Sequence, residues 1–148
     1  MAFDYNSTCT FDGNAFDAVE IMVELDTPPT SQGMPTMGGL TASVRVVVDP
    51  SDTTNCPYSL ISTLFSDANL VTNQKIKQVK LEFWQDPSKQ NALCSYQFQG
   101  WISGFQTVNP AGAQTNISNQ SQVLNNMLVI DITPQLNQTN QPNLSFSN

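Results

Sequence analysis

Two carboxylates, Glu20 and Glu24, stand four residues apart in the run "AVEIMVELD". A pair of Asp or Glu side chains is the minimum equipment of a glycosidase, one carboxyl serving as acid and the other as base or nucleophile. Apolar and polar residues alternate here, as in a strand, so four positions is two alternations and both carboxylates fall on one face. That face also carries Met22 and Asp26 and reads as the solvent side of the strand, which makes hydration the plainer role for the pair. Asp49, Asp52 and Asp67 are oxygen donors of the kind calcium prefers, but their spacing is not that of an EF-hand, and turn or capping roles account for them. The chain has no histidine, which removes the commonest general base and metal ligand and rules out Ser-His-Asp and Cys-His catalysis. No P-loop, GxGxxG or HExxH occurs. The expectation is a protein that is not an enzyme, with no catalytic residues, no cofactor and no metal.

Three cysteines, Cys9, Cys56 and Cys94, are irregularly spaced and odd in number, so they outline neither a disulfide framework nor a zinc site. Buried free thiols in a reducing compartment are expected. The start "MAFDYNST" has neither a basic head nor an apolar run, and no stretch approaches a membrane span. Five Asn-x-Ser/Thr sequons, at Asn6, Asn116, Asn119, Asn137 and Asn143, are what so Asn-, Ser- and Thr-rich a chain produces by chance. Trp84 and Trp101 alternate with inward residues on two successive strands. Three uses are open to them: packing within the chain, burial by a neighbouring subunit, or a stacking platform for sugar.

Charged residues make up only 11% of the 148, and the net charge is −7 with five basic residues, which excludes the basic footprint of a nucleic-acid binder. Residues 1–67 hold nine acids against Arg45 alone, whereas Lys75, Lys77, Lys80 and Lys89 follow. This is either an unevenly charged solvated surface or two faces of opposite sign suited to head-to-tail contact.

The elements that carry these residues read as strands. Phe3, Tyr5, Cys9 and Phe11 share a face, Asp12-Gly13 is a hairpin signal, and the chain returns through Val19, Ile21, Val23 and Leu25. "LTASVRVVVD" places Leu40, Ala42, Val44, Val46 and Val48 inward until Pro50 ends it. Between these strands lies "TPPTSQGMPTMGG", Thr27–Gly39, far longer than the two to five residues a hairpin needs. Leu60, Ile61, Leu64 and Phe65 form the apolar stripe of the one expected helix, with Asn55 or Cys56 as cap and Pro57 at its first position. "IKQVKLEFWQD", "LCSYQFQGWISGF" and "NMLVIDIT" supply further strands, with Gly100 a candidate bulge and "NPAGAQTNISNQSQ" a polar loop. About seven strands and one helix predict a mainly β fold, a small β-barrel of two sheets with one short α-helix, spanning residues 1–148 as a single domain.

The order of these features resembles the haemolysin-coregulated protein (Hcp) family, the inner-tube subunits of type VI secretion systems, and is similar to phage tail-tube proteins. The likeness is carried by the N-terminal hairpin, the long loop, "GGLTASVRVVVD", the short helix, "KIKQVKLEFWQD", "LCSYQFQGWISGFQTV" and "NNMLVIDITPQL". It rests on element order over nearly the whole chain rather than on one motif. The resemblance implies hexameric rings stacked head-to-tail into a hollow tube, assembled in the cytoplasm and then expelled to the outside by a contractile sheath. The implied partners are further copies, sheath proteins, a valine-glycine repeat spike protein and secreted effectors, with no nucleic acid and no membrane insertion. It also implies that the long loop reaches the adjacent ring. Pro28, Pro29 and Pro35 would then limit its entropy, Met34 and Met37 would dock, and Gly38 and Gly39 would turn the chain into the next strand. Trp84 and Trp101 become possible subunit contacts. The alternatives are a secreted β-sandwich binding module, lectin- or adhesin-like, and the tube protein of a phage-like contractile injection system.

Overall fold

Alternation between β-branched or aromatic residues and short polar ones builds nearly every strand of this chain, and the computed structural model shows where each apolar face goes. It describes residues 5–27, 29–34, 41–109, 114–117, 120–123, 126–135 and 145–147. Phe3 and Leu40, placed inward by the sequence pattern, lie outside the described residues.

Strand β1 (Ser7–Phe11) turns at Asp12-Gly13 into β2 (Asn14–Ala18), pairing Phe11 with Asn14 and Ser7 with Ala18. Asp12 and Gly13 both take positive φ, at 51° and 82°, which the tight turn demands and which Asp and Gly tolerate best. The returning run does not pair with β1 throughout, as the sequence pattern suggested. It divides at Val19, and its second half, β3 (Glu20–Asp26), pairs instead with β4 (Thr41–Val48). The Val19 N–H donates to the Val47 carbonyl at 2.8 Å, which fixes the switch.

Strands β5 (Lys77–Trp84), β6 (Ala92–Val108) and β9 (Met127–Pro134) complete an antiparallel ladder in the order β2-β1-β5-β6-β9-β4-β3. The long β6 is shared: Ala92–Gly100 pairs with β5 and Gly100–Val108 with β9, so the two sheets are halves of one ladder hinged on this strand. The two ends of the ladder, β2 and β3, are consecutive pieces of one chain segment joined at Val19, which curls the sheet toward a barrel without pairing its edges. The irregularity in β6 falls between Ile102 and Gly104, not at Gly100. Gly100 is instead a point of close approach, where a Cβ would stand 2.7 Å from the Thr133 carbonyl oxygen.

Inside lie Cys9, Phe11, Phe16, Val44, Val46, Val48, Val79, Leu81, Phe98, Ile102, Leu128, Ile130 and Ile132, all buried. Helix α1 (Tyr58–Asn69) adds Leu60 and Leu64 to this core, and Ile61 packs against it. Phe65 stays half exposed and rests edge-on against Phe105, with ring centroids 5.5 Å apart. Pro57 is the N-cap rather than the first helical residue, and no side chain caps the helix.

Asn55, expected as a cap, does other work. Its amide oxygen accepts from the Asp17 N–H and its amide nitrogen donates to the Asp17 carbonyl, both at 2.7 Å. The side chain thereby imitates a neighbouring strand on the outer edge of β2 and satisfies backbone groups that a ladder end leaves open. Asn55→Ala is expected to cost about 1–3 kcal/mol, measured as a lower urea midpoint, because two partly buried backbone groups lose their partners. Asn55→Asp should not rescue it, since a carboxylate oxygen would then face the Asp17 carbonyl.

Ten strands, not seven, are present among the described residues. The stretch read as a polar loop contains β7 (Gln114–Ile117) and β8 (Gln120–Val123), which pair with each other. Near the C-terminus, β10 (Ser145–Ser147) pairs with Ser95–Gln97 of β6, on the same edge that β9 occupies further along. Short elements of neutral polar residues carry too little apolar periodicity to be read as strands.

Candidate functional site

The structure places the candidate catalytic groups apart. Glu20 and Glu24 are exposed on β3, opposite Val47 and Ser43, and about 13 Å separates their positions along an extended strand. A glycosidase pair needs carboxyl groups about 5–10 Å apart across a substrate. Asp49 and Asp52 serve their own turn: Asp49 accepts from the Ser51 N–H at 2.9 Å, and Asp52 accepts from the Asn55 N–H at 3.3 Å and from the Tyr5 hydroxyl at 2.8 Å. Among the described residues no group of three or more Cys, Asp or Glu is arranged to hold a metal ion. Cys9, Cys56 and Cys94 are free thiols, the first two buried. Burial pushes the Cys9 thiol up to about 12, and burial together with Asp49 and Asp52 pushes Cys56 up to about 11, so neither offers a thiolate at neutral pH. An open groove of about 410 Å³ between the β1–β2 turn and the start of α1 is lined by Gly13, Asn14, Thr54, Ser59 and Thr63 among others, with no ionisable side chain.

Asp67 is the one buried side chain whose polar atom, Oδ2, lacks a hydrogen-bond partner among the described residues. It continues the Leu60 and Leu64 stripe of α1 into the core. Burial raises its carboxyl above the ordinary value of 3.8, Lys77 opposing and Asp12 reinforcing the shift. The folded chain therefore holds this proton more tightly than the unfolded chain. The group's contribution to stability is full below the unfolded value and is lost as pH rises through the raised folded one. Asp67→Asn is expected to raise the urea midpoint at neutral pH, with the gain shrinking to nothing in acid.

The basic side chains sit close to acids or carbonyls of the same chain. Lys77 pairs with Asp12 at 3.6 Å, Lys80 with Glu82 at 3.7 Å, Arg45 with Asp131 at 2.9 Å, and Lys89 with Asp17, while Lys75 donates to the Ala68 carbonyl at 3.2 Å. Four of the five basic side chains thus lie beside an acid of the same chain, and Lys75 is held by a backbone carbonyl.

Trp84 and Trp101 lie far apart. Trp84 sits where β5 meets Ala92, whereas Trp101 is nine positions further along β6, opposite Thr133. That is on the order of 30 Å along an extended strand, too far for one stacking platform. Trp84 is half-buried, and its indole N–H donates to Thr8 Oγ1 at 3.0 Å. Trp101 is half-buried too.

The long loop is where the fold and the candidate residues meet. Asp26 pairs with Thr41, so the β3–β4 connection begins and ends beside this pair. Of the arm residues, Pro29 and Met34 are described, and Pro28, Pro35, Met37, Gly38 and Gly39 lie outside the described residues. The described part holds its own shape. The Thr30 N–H donates to the Met34 carbonyl at 2.6 Å, and the Gly33 N–H donates to the Thr30 carbonyl at 2.9 Å. Thr30 Oγ1 accepts from Gln32 and Met34 N–H groups at 3.4 and 3.2 Å, and Gly33 takes the positive φ of 81° that closes the turn. Met34 is 63% exposed on this turn. The Ser31-Gln32-Gly33 run carries a turn signal of its own within the longer loop.

A second extension leaves the opposite end. Val48, the last residue of β4, pairs with Leu128, and Val108 pairs with Met127, so the β6–β9 connection that contains β7 and β8 departs from the end of β4 remote from Thr41.

A curled antiparallel sheet whose two edge strands follow each other in the chain, with one helix on it and a long connection between two paired strands, is an Hcp-like fold. The solved structure of Hcp1 from Flavobacterium johnsoniae shares it with a TM-score of 0.60 over 96% of this chain and 94% of that one, at 10% sequence identity. No protein-family model matches the chain. No curated protein matches it either. Among the described residues, no helix is long and apolar enough to cross a membrane.

Proposed function

We propose that this chain is a structural subunit of a type VI secretion inner tube, acting as one unit over residues 1–148 and catalysing no reaction. Six copies form a ring, rings stack head-to-tail, and the tube is driven by a contractile sheath behind a valine-glycine repeat spike, carrying effectors outward after assembly in the cytoplasm. The observation that carries this reading is the Hcp-like fold over nearly the whole chain. Three features of the chain support it. The outer edge of β3 has no partner strand among the described residues, and an exposed edge of this kind invites a neighbouring copy. A charge-poor surface of Asn, Gln, Ser and Thr buries with little desolvation cost. The buried, protonated thiols suit a reducing compartment of assembly. Sedimentation velocity over a concentration series tests the ring: a discrete species of six subunits is expected, and a single monomer boundary up to the highest concentration contradicts it.

A further inference from the structure

Strands β9 and β10 lie in line on the same edge of β6. Pro134 sits opposite Gly100, and the Gln135 N–H donates to the Gln99 carbonyl at 2.7 Å. Ser145, Phe146 and Ser147 follow opposite Gln97, Tyr96 and Ser95. Both strands run antiparallel to β6, so one residue, opposite Phe98, would bridge Gln135 to Ser145. The chain spends nine there, residues 136–144. The gap is about 7 Å, whereas nine residues reach about 30 Å when extended. β10 is thus a three-residue strand docked on β6 through a tether several times longer than its place requires.

The docking site is small and well defined. Tyr96 of β6 and Phe83 of β5 pack against the core, their rings edge-on with centroids 5.9 Å apart. Phe146 adds a third ring to this row, 5.1 Å from Tyr96 and again edge-on, yet stays 64% exposed. Beside it the Ser95 and Ser147 hydroxyls share a hydrogen bond of 2.8 Å. Three residue pairings, one aromatic contact and one hydroxyl pair therefore hold β10. A contact of that size opens without unfolding the ladder. A flexible tether of this length re-closes it with an effective concentration on the order of millimolar. Release leaves an open edge at Ser95–Gln97 and uncovers Tyr96, which together suit an added strand. A second copy carries both halves of the contact. Every interaction lost within one chain is regained between two, the low-cost condition for exchanging an element.

We propose that the β6 edge at Ser95–Gln97 is a strand-addition site whose second occupant is β10 of another copy, exchanged for the chain's own. Phe146 is its anchor, docking edge-on against a tyrosine ring as it does within one chain. The exchange needs only two copies and does not rest on the tube reading.

The test uses the full-length protein with Cys94→Ser, which removes the one thiol beside the site that is not buried. Ser95→Cys and Ser147→Cys are made in separate chains; the two hydroxyls lie 2.8 Å apart, so sulfurs placed there are within reach of a disulfide. The two variants are mixed, incubated and mildly oxidised. A covalent two-chain species at least tenfold above either variant oxidised alone is expected, falling at least tenfold when Phe146→Ala is added to the Ser147→Cys chain. The double variant Ser95→Cys/Ser147→Cys reports the same docking within one chain. If it closes internally while the mixture stays single-chain, β10 does not exchange and the proposal is overturned. A two-chain species indifferent to Phe146→Ala reflects collision of exposed thiols and overturns it too. A double variant that never closes overturns the docking itself. Sedimentation of the wild type reads the tube separately: rings without cross-linking leave the tube reading standing, and cross-linking without rings leaves the exchange standing alone.

Discussion

Deleting residues 30–37 is expected to leave the barrel folded and its rings intact while abolishing the stacking of one ring on another. The strands on either side are held independently of the arm: Asp26 pairs with Thr41, and every residue of β3 back to Glu20 has a partner in β4. The deletion retains residues 27–29 and 38–40, still long enough to close a hairpin. Shortening a flexible connection by about half changes its closure entropy by only about 0.6 kcal/mol, in the stabilising direction. The urea midpoint should therefore move little, whereas stacking loses the turn that presents Met34, 63% exposed on a surface where most large apolar side chains are covered. Sedimentation and negative-stain images of the same preparation separate these outcomes. A deletion that unfolds the barrel contradicts the independence of the arm, and one that stacks normally contradicts its role.

Replacing Gly100 by alanine is expected to be among the most damaging single-methyl changes in the chain. Gly100 pairs with Lys77 of β5 and with Pro134 of β9, at the place where β6 passes from one half of the ladder to the other. An added Cβ would meet the Thr133 carbonyl oxygen at 2.7 Å, Phe98 Cε2 at 3.1 Å and Pro134 Cα at 3.2 Å. Two of these atoms are backbone in a paired strand and cannot swing aside. Overpacking of this kind costs about 1–3 kcal/mol, and a β-branched residue should cost more. Because β6 joins the two halves, the loss should appear as lower global stability by circular dichroism in urea, with subunit association falling in parallel. A Gly100→Ala midpoint equal to wild type would show that the ladder can separate at this point more freely than its geometry implies. Gly33 makes an instructive contrast: a Cβ there meets nothing within 4 Å, so any penalty comes from its positive φ alone.

The strands with a clean two-residue period were legible in the sequence. β4 shows why: Val44, Val46 and Val48 are buried while Thr41, Ser43 and Arg45 are exposed, and no other element could satisfy that pattern. The helix was legible for the same reason at its own period, through Leu60 and Leu64. What stayed hidden was non-local. In "NAFDAVEIMVELD" the inward phase slips at Val19, from Phe16 and Ala18 in β2 to Ile21 and Val23 in β3, but a slip of one residue does not by itself say that the second half pairs with β4 instead of β1. Leu25, in phase with Ile21 and Val23, is nonetheless half exposed, since among the described residues the ladder ends at β3 and no strand lies beyond it. The role of Asn55 as a substitute strand depends on Asp17, thirty-eight residues away. Likewise two of the four lysines, Lys77 and Lys89, meet acids brought near only by folding, Asp12 and Asp17. The loop between β3 and β4 was legible as too long for a turn; that its described part closes on Thr30 needed coordinates.

The central claim, that this chain builds a tube, is tested most directly by negative-stain electron microscopy of the purified wild-type protein at high concentration. Rings with an open centre, in part stacked into short hollow tubes, are the predicted result. Featureless monomers at every concentration, with no ring in any field, would contradict it.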